Sequence, residues 1–430
     1  MSPASALPAA PPALPPALPP ERPLRAFAGL WLAYFGTIGL FNPYAPLWFQ
    51  ALGMSTLAIG AIASLQSWTR LLAPYAWSWA ADHSGARVAL IRLAAAGCLL
   101  GALGLALAPV LGSTAAGPVP WLTTLLIPAV VALLFLCNGG IVPLAEAALA
   151  QLLTGANGLD AARYGRVRMW GSVGFISAVL AAGAALQPLG IAAFPWLVVA
   201  LNAALVAMAW RLPTGHEERH AGVPAPAVLP LLRQPAVAWF LASVFFTVLA
   251  HTSLYAFFSL FLVDAGYGKQ AVGALWAVSV AVEILFFRLQ GRWFSRMSPH
   301  AWLALAAAVT ALRFAGMALA GAQLWLLVLA QLTHAITFAG HHAACIALVS
   351  RHFPGRLRGR GQALYSALGY GLSGLLGGVG GGWLIERFGF AARYGAATLA
   401  GLLALVCVGL ASRADTGASA TATAPAADPA

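Results

Sequence analysis

The sequence predicts an all-α membrane protein of twelve transmembrane helices arranged as two six-helix bundles. Three observations carry that prediction. Apolar runs of about 18 to 25 residues recur along the chain, enough to cross a hydrocarbon layer about 30 Å thick at a rise of roughly 1.5 Å per residue. A polar linker separates six such runs from six more, and basic residues gather at alternate turns. With 61% hydrophobic and 8% charged residues, the chain carries more apolar surface than a water-soluble core encloses. Helices in lipid satisfy their own backbone polar groups, which settles the element type.

In order along the chain, residues 1–24 begin with a Pro/Ala tail containing PPALPPALPP, expected to be a disordered cytoplasmic segment. The tail lacks the basic start and apolar centre of a signal peptide, so the first span is expected to be retained. Spans are predicted at about Arg25–Phe49, Leu57–Ala81, Val88–Pro109, Trp121–Leu152, Tyr164–Leu186 and Ile191–Trp210, giving an N-terminal bundle over 25–211. Residues 212–235, polar and Pro-containing, read as a cytoplasmic linker. A C-terminal bundle over 236–410 follows, with spans at about Val237–Val263, Gln270–Phe294, Ala301–Ala320, Leu324–Ser350, Gly361–Ile385 and Ala391–Leu410. The Thr/Ala-rich stretch 411–430 reads as a second disordered tail.

The net charge of +12 would suggest nucleic acid in a soluble protein, but the placement of the basic residues argues otherwise. Of the 23 Lys and Arg, only Lys269, Arg387 and Arg393 fall on one side, and Arg70 and Arg313 fall inside spans; all the rest lie at or near the other side. That asymmetry orients both termini to the cytoplasm, and the expected location is the inner (cytoplasmic) membrane of the cell. The positive charge is topology, and no nucleic-acid partner is expected.

The two halves look like copies. RLLAPYAWSWAADHSGAR from Arg70 aligns with EILFFRLQGRWFSRMSPH from Glu283, and GRVRMWGS from Gly165 with GRGQALYS from Gly359. Such repeats imply bundles related by an axis along the membrane normal.

Ionisable residues inside spans are the candidate working parts, because each costs at least about 2.5–3.5 kcal/mol at mid-bilayer. Counting from the turn near Met297 to His300, Glu283 and Arg313 lie at one depth, about 20 Å along their helices. His334 and His341 are seven residues apart, so they share a face that overlaps this level. His342 is expected on another face, and His251 in the seventh span is a further candidate. A buried carboxylate with an arginine within reach can switch protonation with access and partner, and a histidine can relay that proton. The competing reading is a static ion pair that holds the bundle.

In the N-terminal half, Glu146 and Arg168 are equidistant from the turn at Asn157, and Pro143 lies one turn before Glu146. Arg70 sits near the middle of the second span. For an anionic substrate, Arg70 or Arg168 is the natural carboxylate fork, with Glu146 beside it and Tyr34, Trp48 and Trp68 as candidate aromatic walls.

These features together resemble the major facilitator superfamily over Arg25 to Leu410. The turn DHSGAR keeps Asp82, Gly85 and Arg87 of the superfamily's gating loop between the second and third spans, with His83 and Ala86 where basic residues are usual. RYGRVRMWGSVGFI from Arg163, the run from Gln331 to Gly371, and NPYAP at Asn42–Pro46 resemble the phenylpropionate permease family, near the lactose permease and nucleoside symporter branch. NPYAP resembles that family's proline-broken end of the first helix.

The resemblance implies proton-coupled uptake of a small organic molecule such as an aromatic acid like 3-phenylpropionate, by alternating access. It also implies an acidic residue, Arg and His in the eighth, ninth and tenth spans, matched by Glu283, Arg313 and His334 or His341. That branch has a second acid in the tenth span, and none stands here. A proton-driven exporter of drugs or metabolites and a transporter-derived sensor are the alternatives.

No GxSxG or GK[ST] motif is present, and the one HExxH match, HEERH at His216–His220, falls in the polar linker outside the expected spans, so neither an enzyme activity nor a cofactor or metal is expected. Cys98, Cys137, Cys345 and Cys407 lack CxxC spacing and read as packing residues in a monomer. The glycines of the eleventh span, Gly369 to Gly382, read as sites of close helix approach.

Overall fold

The computed structural model describes residues 21–111, 113–114, 117–118, 120–155, 158–214 and 229–423. The expectations for residues 1–20, for the centre of the linker and for 424–430 lie outside them. The first half holds α1 (Glu21–Ala51), α2 (Thr56–Ser84), α3 (Arg87–Leu111), α4 (Pro120–Leu153), α5 (Ala161–Leu189) and α6 (Phe194–Trp210). The second half holds α7 (Pro235–Asp264), α8 (Lys269–Leu289), α9 (Pro299–Ala320) and α10 (Leu324–His352). It ends in α11 (358–388) and α12 (390–423), which run on as one helix except at Gly389, where φ 79° and ψ −179° turn the chain back.

Among the described residues, ten helices are long and apolar enough to cross a membrane. The longest of these, Arg358–Thr416 with 59 residues, bends back at Gly389 and so supplies two spans. α2, made more polar by Gln66, Ser67, Thr69 and Arg70, completes the twelve. Two tight hairpin turns, Ser113–Thr114 with Gly117–Pro118 and Thr154–Gly155 with Gly158–Leu159, supply the only strand pairing among the described residues.

Three expectations shift. The first helix starts at Glu21 rather than Arg25, with Glu21 and Arg25 paired across one turn at 2.8 Å. α12 continues past Ala411 where a disordered tail was expected, because Asp415 pairs with Arg351 and lies 3.2 Å from His300 and 3.8 Å from His352. Those partners sit at the start of α9 and the end of α10, so the last helix is tied to its neighbours. α1 is also not broken at its prolines. Pro43 and Pro46 lie buried inside a continuous helix, whose end is held by Tyr44, its hydroxyl donating to the carbonyls of Val179 (2.9 Å) and Lys269 (3.2 Å).

Within the first half α1 packs on α5 and α6, α3 on α4 and α6, and α2 on α4; within the second, α7 and α9 pack on the α11–α12 hairpin and α8 on α10. Across the halves, α2 meets α11 and α5 meets α8. These crossings are tight at one end. A Cβ on Gly60 would lie 2.1 Å from the carbonyl oxygen of Gly378, so only glycine lets α2 and α11 approach this closely. Thr56 donates to the Gly382 carbonyl (3.0 Å), the Leu57 N–H to Glu386 (3.3 Å), and the Lys269 N–H to Gln187 (2.7 Å). These hydrogen bonds between the halves lie toward the end remote from the two termini. The molecule is therefore closed at that far end.

Candidate functional site

Between the halves lies a cavity of about 330 Å³. From the first half α1 contributes Phe35, Ile38 and Asn42, α2 contributes Gln66, Ser67 and Arg70, and α5 contributes Ser172 and Phe175. From the second come Thr252 and Tyr255 of α7, Trp276, Ser279 and Glu283 of α8, His334 and Phe338 of α10, and Tyr370 of α11. Phe35, Phe175, Tyr255, Trp276, Phe338 and Tyr370 put aromatic rings on the wall, and two formal charges of opposite sign face the space: Arg70 from one half and Glu283 from the other. Among the described residues neither makes a hydrogen bond or ion pair with protein, so both are available to a ligand or to water.

The expected meeting of Glu283 with Arg313 does not occur. α8 packs on α10 rather than on α9, so α10 stands between carboxylate and guanidinium although both lie at similar depth. Arg313 is instead buried among neutral partners on α10. Its Nη2 donates to Gln331 Oε1 (3.0 Å), and its Nη1 to Thr337 Oγ1 (3.3 Å) and His334 Nδ1 (3.4 Å). A guanidinium only donates, so His334 Nδ1 accepts and His334 is held neutral with its proton on Nε2 while that contact stands. The ring of His334 stacks on Phe338 at 5.1 Å and lies 6.2 Å from His251 and 6.5 Å from Tyr255. His334 thus joins the Arg313 cluster to the cavity wall.

His341 is buried, contacts Cys345 Sγ at 3.5 Å through Nε2, and borders a small pocket with His251 and Tyr255 rather than the main cavity. His342, expected on another face, joins the ring stack instead: Phe338 lies 6.3 Å from it with planes 12° apart. The cause is local. Residues Ala335–Gly340 form a π-helical turn, which accommodates an extra residue and moves the next aligned ring from seven to eight positions beyond His334.

In the first half, Arg168 Nε lies 3.1 Å from Glu146 Oε1, as the equal spacing about Asn157 anticipated. The same guanidinium covers Trp31 at 4.4 Å and Phe35 at 4.7 Å. Neither Arg168 nor Glu146 lines the main cavity. Tyr34 donates to Asn138 Oδ1 at 2.9 Å behind the wall, and Trp48 packs on Phe49 and Phe194. Trp68 is 51% exposed and turned away from the cavity. Asp82 and Arg87 face each other at 3.5 Å across the turn at Gly85, whose φ of 65° closes α2, and Arg87 also donates to Gln151 of α4.

Sequence reasoning missed Asn42, Gln66, Tyr255, Trp276 and Tyr370, neutral residues that carry no burial cost to draw the eye. It also passed over Arg393 as a far-side basic residue. That guanidinium is buried, covers Phe257 at 5.9 Å and donates to Thr252, whose other side faces the cavity. Its position one turn inside α12 was the available signal. Among the described residues no cluster of His, Cys, Asp and Glu suits a metal ion.

Comparison with known proteins agrees with this architecture. The model of the MFS_1 like family matches residues 24–396. The chain is 29% identical over 374 residues to the probable 3-phenylpropionic acid transporter of Escherichia coli (strain K12), covering 84% of this chain and 92% of that one. It is also 29% identical over 364 residues to the maltose permease of Geobacillus stearothermophilus, covering 82% and 86%. Among solved structures, a variant of the nucleoside transporter NupG superposes with TM-score 0.75 at 18% identity, over 91% of this chain and 99% of that one. The D-xylose-proton symporter superposes with TM-score 0.67 at 12% identity, over 90% and 96%.

Proposed function

Because the chain belongs to the MFS_1 like family and has the major facilitator fold, it is a multi-pass membrane transporter rather than an enzyme, and we propose that it is a proton-coupled symporter of a small aromatic carboxylate. The carrying observation is the cavity, where Arg70 and Glu283 face the same aromatic-lined space from opposite halves without protein partners. A volume of about 330 Å³ lies at the small end of the roughly 300–1,000 Å³ of small-molecule sites. A ring against Phe175, Trp276 and Phe338 with its carboxylate on Arg70 uses both properties of the wall. The similarity to a probable 3-phenylpropionic acid transporter points to the same substrate class.

Glu283 is the proton carrier in this reading. While ionised, it opposes an anion in the same small cavity; once protonated, it leaves Arg70 as the uncompensated charge, so proton and anion enter together. Arg313 and His334 shape the wall behind it. In this reading the positive-inside distribution orients both termini to the cytoplasm, so the closed far end faces outward from the cell and this conformation opens inward. Alternating access then requires the Gly60–Gly378 contact to part while the halves close at the terminal end. The Asp82–Arg87 pair lies at that end, where it can serve as part of the inner gate.

The test is uptake of radiolabelled 3-phenylpropionate into proteoliposomes under an inward proton gradient, corrected for passive entry into protein-free vesicles. Wild-type protein is expected to accumulate the label and Arg70→Gln to lose at least tenfold of that uptake. Accumulation of maltose and not of the aromatic acid would overturn the substrate class, and gradient-independent equilibration would overturn the coupling.

A further inference from the structure

A chain of hydroxyl and imidazole groups runs from the cavity wall into the second half, and the reading above does not use it. Tyr370 borders the cavity on the same wall system as Glu283. Its hydroxyl lies 3.2 Å from that of Tyr365, and the Tyr365 hydroxyl lies 3.0 Å from His342 Nδ1. Tyr365 is buried, and His342 is half-buried at the other end of the chain. Two π-helical turns put these groups in line: Ala335–Gly340 in α10 shifts His342 into register with Phe338, and Tyr365–Leu372 in α11 begins at Tyr365 and contains Tyr370. Within a regular α-helix residues five apart are staggered around the axis, whereas a π turn of about 4.4 residues brings them onto one side, as hydroxyl contact between Tyr365 and Tyr370 requires.

We propose that Tyr370, Tyr365 and His342 form a proton-conducting path connecting the Glu283 cavity to the α10–α11 side of the second half. The proposal rests on the symport reading. Glu283 releases its proton to a cavity water or directly to the Tyr370 hydroxyl oxygen. Tyr370 passes its own hydroxyl proton to Tyr365, Tyr365 passes its own to His342 Nδ1, and the imidazolium gives up Nε2–H to water. Each hydroxyl gains one proton as it loses one, so nothing is consumed and Glu283 is left ionised for the next cycle. After the proton has passed, the hydroxyl rotors and the imidazole tautomer reset. The path separates proton release from substrate release, which the single shared cavity alone does not.

The groups around the path leave it uninterrupted. On α10 His341 contacts Cys345 Sγ, which lies beside the path as a side-chain hydrogen-bond partner of Tyr365, and borders a small pocket that Tyr370 also lines, while His334 is engaged by Arg313. Phe338 lies between the His334 and His342 rings and offers no proton-transfer atom, so His334 is not a branch. Neither Tyr365 nor His342 lines the main cavity, so each can be altered without touching the substrate wall.

Tyr365→Phe removes one hydroxyl and keeps the ring; His342→Gln keeps a polar side chain without a titrating nitrogen. Each is measured in proteoliposomes by two assays with radiolabelled 3-phenylpropionate: accumulation under an inward proton gradient, which needs proton release in every cycle, and equilibrium counterflow, which does not. Both variants are expected to lose at least tenfold in accumulation and to keep counterflow within about twofold of wild type. Wild-type accumulation in either variant overturns the path, as does parallel loss of both assays, which marks a structural role. A wild-type protein indifferent to the proton gradient overturns the symport reading itself, a separate outcome.

Discussion

Glu283 and Arg70 bear the transport reading because each faces the cavity with nothing of the protein to neutralise it. Arg70→Lys should weaken binding of an aromatic acid by about tenfold or more, since a point-charge ammonium replaces a planar fork; isothermal titration with 3-phenylpropionate checks this. Arg313 differs in kind. Its three neutral acceptors are all on α10, so Gln331→Leu should leave a buried N–H without an acceptor and lower stability by about 1–3 kcal/mol, read as a fall in Tm of the purified protein. Breaking the part-exposed Arg168–Glu146 pair by Glu146→Gln should cost no more than about 1 kcal/mol in the same assay. The sequence marked every one of these charges, because a charge in an apolar run stands out. Apart from His334 it marked none of the neutral cavity residues as such, for Asn42, Trp276 and Tyr370 look like any other residue of an apolar helix.

The number and order of the helices were legible at the scale of single elements; the outer ends of the first and last helices and the lateral positions were not. Counting residues from a turn places Glu283 and Arg313 at one level, but only packing shows that α10 lies between α8 and α9. The same limit explains the histidines. A period of 3.6 residues pairs His334 with His341 and turns His342 away, whereas the π turn at Ala335–Gly340 brings His342 into the stack. Nothing in the composition of AITFAG announces a π turn, although Gly340 at its end does pack close against Phe286 and Trp302. The glycines of α11 were read as sites of close approach, and Gly378 against Gly60 is one.

That contact also governs the whole molecule, because it helps close the far end. Gly60→Val should wedge α2 from α11 and favour the conformation open on the far side; spin labels at Gln50 and Phe388 should move apart relative to the parent protein, and an unchanged distance distribution would contradict the gating role. Twelve spans, the division into halves and the charge asymmetry were readable because lipid thickness and the expense of moving charge across it constrain every segment. The cavity needed the structure, since it is made by the way the halves lean on one another. The central claim is that Glu283 carries a proton inward with the substrate. It is tested most directly by the pH inside proteoliposomes loaded with a trapped dye when 3-phenylpropionate is added outside without any imposed gradient. The account predicts lumenal acidification faster than in protein-free vesicles for wild type and none above that background for Glu283→Gln; equal acidification by the two proteins would contradict it.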